Sequence, residues 1–240
     1  MPASARLWWV CRVRLPDGEQ ATTASWIRTS VKSLRSESET TMSRRNFFTV
    51  EPADGPVVEP ISKMGGQPVW LEQPQWPISR NHGTPMSFIA QIKLPAGLIY
   101  VFMTDATEYV DDAWEADGGE NAVIIQPDGR LPLLGVYGSI VEVYGSDDPR
   151  PIDVSAQATG PTVAADHLLV AVPDDPDSYQ FTNGEPLWLQ NPEVPGEGYG
   201  LLLQWESERL PFPINFGDAG IGYVFLSPDL REGRFLWQNS

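Results

Sequence analysis

Gly66-Gln67-Pro68-Val69-Trp70-Leu71-Glu72-Gln73-Pro74 returns later in the chain as Gly184-Glu185-Pro186-Leu187-Trp188-Leu189-Gln190-Asn191-Pro192. Gly, Pro, Trp, Leu and the closing Pro all recur at a single offset, 118 from Gly66 to Gly184. After each copy comes an apolar run ending in Gln: Phe88-Ile89-Ala90-Gln91, then Leu201-Leu202-Leu203-Gln204. Further on, Tyr100-Val101-Phe102 is matched by Tyr223-Val224-Phe225. Order and approximate spacing are kept, so the reading is an internal duplication, with halves at about 57–145 and 165–240.

The runs Leu98–Met103, Val123–Gln126, Ile140–Tyr144, Leu168–Val172, Leu201–Trp205 and Ile221–Leu226 read as strands. Each is short, rich in β-branched or aromatic residues, and bounded by Gly, Pro or Asp. Asp105–Ala116 reads as a helix, with Tyr109 and Ala113 four apart and Trp114 beside them on an apolar face. A second short helix is expected to start near Ser155. The expected fold class is α+β: a β-rich mixed fold with short helices, built from two related halves.

The same residues carry a family resemblance. Ser62-Lys63-Met64-Gly65-Gly66-Gln67-Pro68, Trp76-Pro77 and Phe88-Ile89-Ala90-Gln91-Ile92 form its first part. Phe216-Gly217-Asp218-Ala219-Gly220 and Tyr223-Val224-Phe225 form its second. In this order they resemble the YwqG-like family, a group of bacterial proteins of unknown function, from about Ile61 to Leu236. The resemblance implies an α/β fold of duplicated character and brings no activity, substrate or catalytic set. The short, charged spacer from Trp205 to Pro213 departs from it.

The formal net charge is −16, and the charge is uneven. Residues 1–50 hold 8 Lys/Arg and 4 Asp/Glu, which leaves the remainder at about −20. Such a body repels nucleic-acid phosphates and acidic membrane surfaces. A basic protein remains an allowed partner. Residues 1–41 are comparatively basic and rich in Ser and Thr, and Met42 follows directly. They read as a flexible or non-native extension before one globular unit, 42–240.

Cys11 is the single cysteine, so no intrachain disulfide forms, and a cytoplasmic location is expected. Ser43-Arg44-Arg45-Asn46-Phe47-Phe48 has the look of a twin-arginine export motif but lacks a hydrophobic segment behind it. The two histidines, His82 and His167, lie far apart with no cysteine nearby, so no zinc site is read and no metal or cofactor is expected. Nucleotide-binding glycine patterns and a GxSxG nucleophile motif are absent.

Several side chains stand out as ligand or partner candidates. Lys63 sits beside the Gly65-Gly66 turn, where it contacts an anion or pairs with an acid. Asp218, between Gly217 and Ala219-Gly220, suits a turn held by carboxylate bonds to backbone N–H groups, or a binding residue on a rigid frame. Trp70, Trp76 and Trp188 supply core packing or an aromatic platform. His82 is the remaining polar candidate. The expected function is a non-enzymatic protein-binding module. A hydrolase of unknown substrate and a small-ligand or sugar-binding module are the alternatives.

Overall fold

Gly97–Met103 is buried at every position, so both of its faces must be covered. A computed structural model, which describes residues 44–134, 150–175 and 177–240, shows how. Ten strands form one sheet: β1 (Asn46–Pro52), β2 (Lys63–Met64), β4 (Ser87–Leu94), β5 (Gly97–Met103), β6 (Asn121–Gln126), β10 (His167–Ala171), β11 (Phe181–Thr182), β12 (Gly200–Glu206), β13 (Ile221–Leu226) and β14 (Gly233–Gln238). Two small ribbons pair β3 (Trp76–Pro77) with β9 (Val154–Ser155) and β7 (Leu133–Leu134) with β8 (Arg150–Pro151).

The sheet order is β14-β13-β12-β11-β1-β10-β2-β4-β5-β6, with every neighbour antiparallel. The order is symmetric about the central β1–β10 pair. Outward from it lie β2, β4, β5 and β6 on one side, and β11, β12, β13 and β14 on the other. The hairpins β4–β5 and β12–β13 even break register at matching points, Phe88/Ala90 and Leu201/Leu203.

The sheet curls until its two edges meet, giving a nearly closed barrel. Arg130 N donates to Arg231 O at 2.6 Å just beyond β6 and β14. Gly233 permits the approach, because a Cβ there would overlap the Val123 side chain. Gly233→Ala is expected to destabilise the fold by about 1–3 kcal/mol through overpacking, read as a lower urea midpoint at unchanged slope.

Alternation along each strand sends residues to two layers. Ile99, Val101, Val123, Val224, Phe235 and Trp237 point inward to a shared core. Tyr100 and Phe102 face an outer cluster with Trp76, and Tyr223 and Phe225 face another with Phe181. Each outer cluster is roofed by one copy of the repeated segment, whose Trp70 or Trp188 packs against it.

The α+β expectation is corrected: the described residues hold no α-helix, only a 3-10 turn at Ser207–Arg209. Asp105–Ala116 is a chain of turns, with bonds from Glu108 N to Asp105 O and from Glu115 N to Asp112 O. Asp105 and Asp112 take positive φ (28° and 67°), which interrupts any helix whatever the spacing of its apolar residues. Val154–Ser155 pairs with Trp76–Pro77 as a strand where a helix was expected. The expected strand Ile140–Tyr144 and the extension 1–41 lie outside the described residues.

Candidate functional site

The repeated segments form no strands; side chains from the sheet hold their backbones. In the first, Val69 N donates to Gln91 Oε1 (2.9 Å) and Leu71 N to Tyr100 Oη (3.1 Å), while Tyr100 Oη donates to Val69 O (2.8 Å). Gln126 accepts from Glu72 N (3.1 Å) and donates to Gln73 O (2.8 Å). The second makes the same bonds. Leu187 N donates to Gln204 Oε1 (3.0 Å), Leu189 N to Tyr223 Oη (3.0 Å), and Tyr223 Oη to Leu187 O (3.0 Å). Gln238 accepts from Gln190 N (3.0 Å) and donates to Asn191 O (2.9 Å). Trp70 and Trp188 lie over their tyrosines at 4.7 and 4.8 Å. Both are half-buried strap residues rather than exposed platforms.

Against so close a match, two departures stand out. Lys63 faces Gln91 as Phe181 faces Gln204. Lys63 is fully buried; its Nζ pairs with Asp166 and donates to Gln67 O at 2.7 Å. In the other half Arg45 takes the place of Asp166, with its guanidinium 4.8 Å from the Phe181 ring. An ion pair under one strap is thus a cation over an aromatic under the other. Lys63 is not free to hold an outside anion, because its partners are already inside.

The second departure is a loop. Thr104 N donates to Glu120 O (2.7 Å) as Ser227 N donates to Glu232 O (2.8 Å). The second half closes this gap with the short turn 228–231, the first with the long loop 105–119. The frame anchors that loop at several points. Asn215 N donates to Ala106 O (2.6 Å), Trp237 N to Trp114 O (3.2 Å), and Asn121 Nδ2 to Ala113 O (2.9 Å). Arg234 pairs with Asp117 at 2.5 Å. Burial pushes the Asp117 carboxyl above its usual value, and the adjacent Arg234 charge opposes that rise.

Between the start of this loop and the turn 79–87 lies an open groove of about 850 Å³. Its polar lining includes His82, Thr104, Asp105, Glu108, Tyr109 and Asp111, and no Lys or Arg among the described residues. Fully buried Glu120 shapes the opposite wall: Ser79 Oγ donates to its Oε2 (2.6 Å) and Asn81 N to its Oε1 (2.8 Å). His82 N in turn donates to Ser79 Oγ (3.0 Å), which places His82 on the rim. Ser87 also lines the groove.

Residues 62–128 match a family model, the domain of unknown function DUF1963.

No curated protein matches the chain. The matched stretch contains Lys63, the first strap, Glu120 and nearly all of the groove lining, while the geometrically similar second half lies outside it.

Of the residues singled out from sequence, Lys63, Trp70 and Trp76 converge on the first outer cluster. Trp76 is fully buried with its Nε1 donating to Met86 O (2.7 Å), and its ring lies 6.1 Å from that of Trp70. Only His82 reaches the groove. Trp188 and Asp218 belong to the second half. The Asp218 turn is held by other atoms: Gly217 N donates to Asn215 Oδ1 (3.0 Å), and Ser240 N to the Asp218 backbone carbonyl (3.0 Å). Among the described residues no three of His, Cys, Asp and Glu are grouped to hold a metal ion.

Thr104, Glu120 and Asp166 were not singled out from sequence, and Tyr109 was read only as part of a helix face, not as a site residue; the first two and Tyr109 share one signal. Tyr100 to Gln126 is a longer span than Tyr223 to Gln238, so the first half carries an insertion between matched strands.

Proposed function

We propose that the protein is a non-enzymatic binding module that receives a basic protein partner in the groove of its first half. One observation carries the reading: Asp105, Glu108 and Asp111 line the groove, and among the described residues no cationic side chain lines it with them. Exposed carboxylates steer a cationic partner and set its orientation, while an aromatic contact supplies a desolvated centre. Tyr109, 60% exposed, is that aromatic group.

The frame fits an internally duplicated origin in which one half acquired the binding loop and the other stayed structural. Within that reading the chain is a bacterial, cytoplasmic member of the YwqG-like group. No helix among the described residues is long and apolar enough to cross a membrane.

Titration of the full chain with fluorescently labelled cationic peptides tests the reading. Binding is expected at ~0.05 M salt and largely lost by ~0.5 M, since exposed charges become screened. Glu108→Gln together with Asp111→Asn is expected to weaken binding roughly threefold to tenfold. Cationic peptides binding no better than a neutral control would overturn it.

A further inference from the structure

We infer that loop 105–119 couples the groove to the seam of the barrel, with Arg234 as the positioning residue that sets the loop from the second half. The assignment stands on the geometry of the loop; its effect on binding rests on the groove being the docking site.

The barrel closes without a ladder: among the described residues no strand pairing joins β6 to β14. In its place the loop offers three successive carbonyls. Asn121, on β6, donates through Nδ2 to Ala113 O (2.9 Å) and Glu115 O (3.0 Å). Between them Trp237 N, on β14, donates to Trp114 O (3.2 Å). One tripeptide is therefore bonded to both edges at once and covers strand edges that would otherwise lie bare.

The side chains that hold this clasp are departures from the repeat. Asn121 faces Met103 as Gly233 faces Leu226, and Ala122 faces Phe102 as Arg234 faces Phe225. The half with the long loop carries an amide where its counterpart is glycine. The other half carries a cation where its counterpart is alanine. Arg234 is buried, and its guanidinium is divided: Nε meets Asp117 at 2.5 Å and Nη1 meets Glu232 at 2.7 Å. Glu232 is itself held by Tyr199 Oη (3.0 Å) and Arg130 (3.4 Å). In a rigid planar fork one bond orients the other, so Glu232 aims Arg234 and Arg234 fixes where Asp117 lies.

The setting reaches the groove through aromatic rings. Trp114 packs edge-on against Trp237 at 6.3 Å, and Tyr109 is stacked on Trp114 at 6.0 Å and 20°. Tyr109 lines the groove together with Glu108 and Asp111. Releasing the clasp therefore moves the groove wall, and a ligand that holds the wall tightens the clasp in return.

The test follows amide exchange in the full chain for Asp117→Ala, Arg234→Met and the double variant. Asp117→Ala leaves Arg234 on Glu232, so the barrel should stay folded. The amide protons of Glu115 and Gly118, both hydrogen-bonded within the loop, should exchange roughly tenfold faster in each single variant. The double variant should be no faster than Arg234→Met alone, because Arg234 acts on the loop through Asp117. Effects that multiply would show a structural role apart from Asp117 and overturn the assignment. So would unchanged exchange in Asp117→Ala, or a rise at Val101 and Val224 as large as that in the loop. The labelled cationic peptides are then titrated against the same proteins, with binding roughly threefold to tenfold weaker in both single variants. Faster loop exchange with unaltered peptide affinity would overturn the coupling to the groove. Absence of peptide binding in the unaltered protein would remove the docking reading and leave the clasp, which the exchange rates decide by themselves.

Discussion

Lys63→Met is expected to lose roughly 3–5 kcal/mol of folding stability, the usual cost of stranding one member of a buried ion pair. Methionine matches the lysine stem in volume, so the loss comes from polar atoms. Asp166, whose side chain is 10% exposed, would be left without its cation, and Gln67 O would lose a donor. The same strap would loosen, since Gln67 also exchanges bonds with Gly160 at 3.0 Å in both directions. A second variant tests the correspondence between halves. Lys63→Phe with Asp166→Arg copies the arrangement of Phe181 and Arg45, and it should recover at least half of the loss. Urea denaturation of the three proteins provides the comparison. A double variant no more stable than Lys63→Met would show that the two positions are not interchangeable.

Alkaline pH should destabilise the fold through Tyr100 and Tyr223 together. Burial pushes both phenols up to about 12; the N–H bonds from Leu71 and Leu189 pull them down in part, and Glu72 near Tyr100 and Tyr179 near Tyr223 push them up further. In the unfolded chain a tyrosine loses its proton near pH 10. The folded state therefore holds these protons more tightly. Its advantage is complete below about pH 10 and disappears as pH rises through about 12. Two shifts of about two units each correspond to a loss on the order of 5 kcal/mol. Urea midpoints measured between pH 9 and 12 should fall steeply. Tyr100→Phe with Tyr223→Phe, less stable at neutral pH, should show a much flatter dependence. An equally steep fall in that double variant would assign the effect to other groups.

Strands buried on both faces were the easiest part of this fold to read. β5 and β13 are continuous apolar runs closed by turn residues, and the repeated Pro-x-Trp-Leu segments announced the straps above them. β14 escaped notice because Arg234 and Gln238 look like surface residues. Both are buried, Arg234 between Asp117 and Glu232 and Gln238 under the second strap. The helix expected at Asp105–Ala116 failed because side-chain spacing says nothing about the positive φ of Asp105 and Asp112. The groove was the least legible feature. Its walls come from residues around 82, 104–111 and 161, brought together only by the sheet.

The straps have a consequence for local opening. Each rests on glutamine and tyrosine side chains, so lifting one away breaks no ladder bond between strands. Such openings belong to the low-energy end of the spectrum seen by amide hydrogen exchange. The amide protons of Leu71 and Leu189, though hydrogen-bonded, should therefore exchange well before those of Val101 and Val224 inside the sheet. Because the two roofs share no residue, their exchange rates should respond to mutation independently: loosening the strap over Tyr100 should leave protection over Tyr223 untouched.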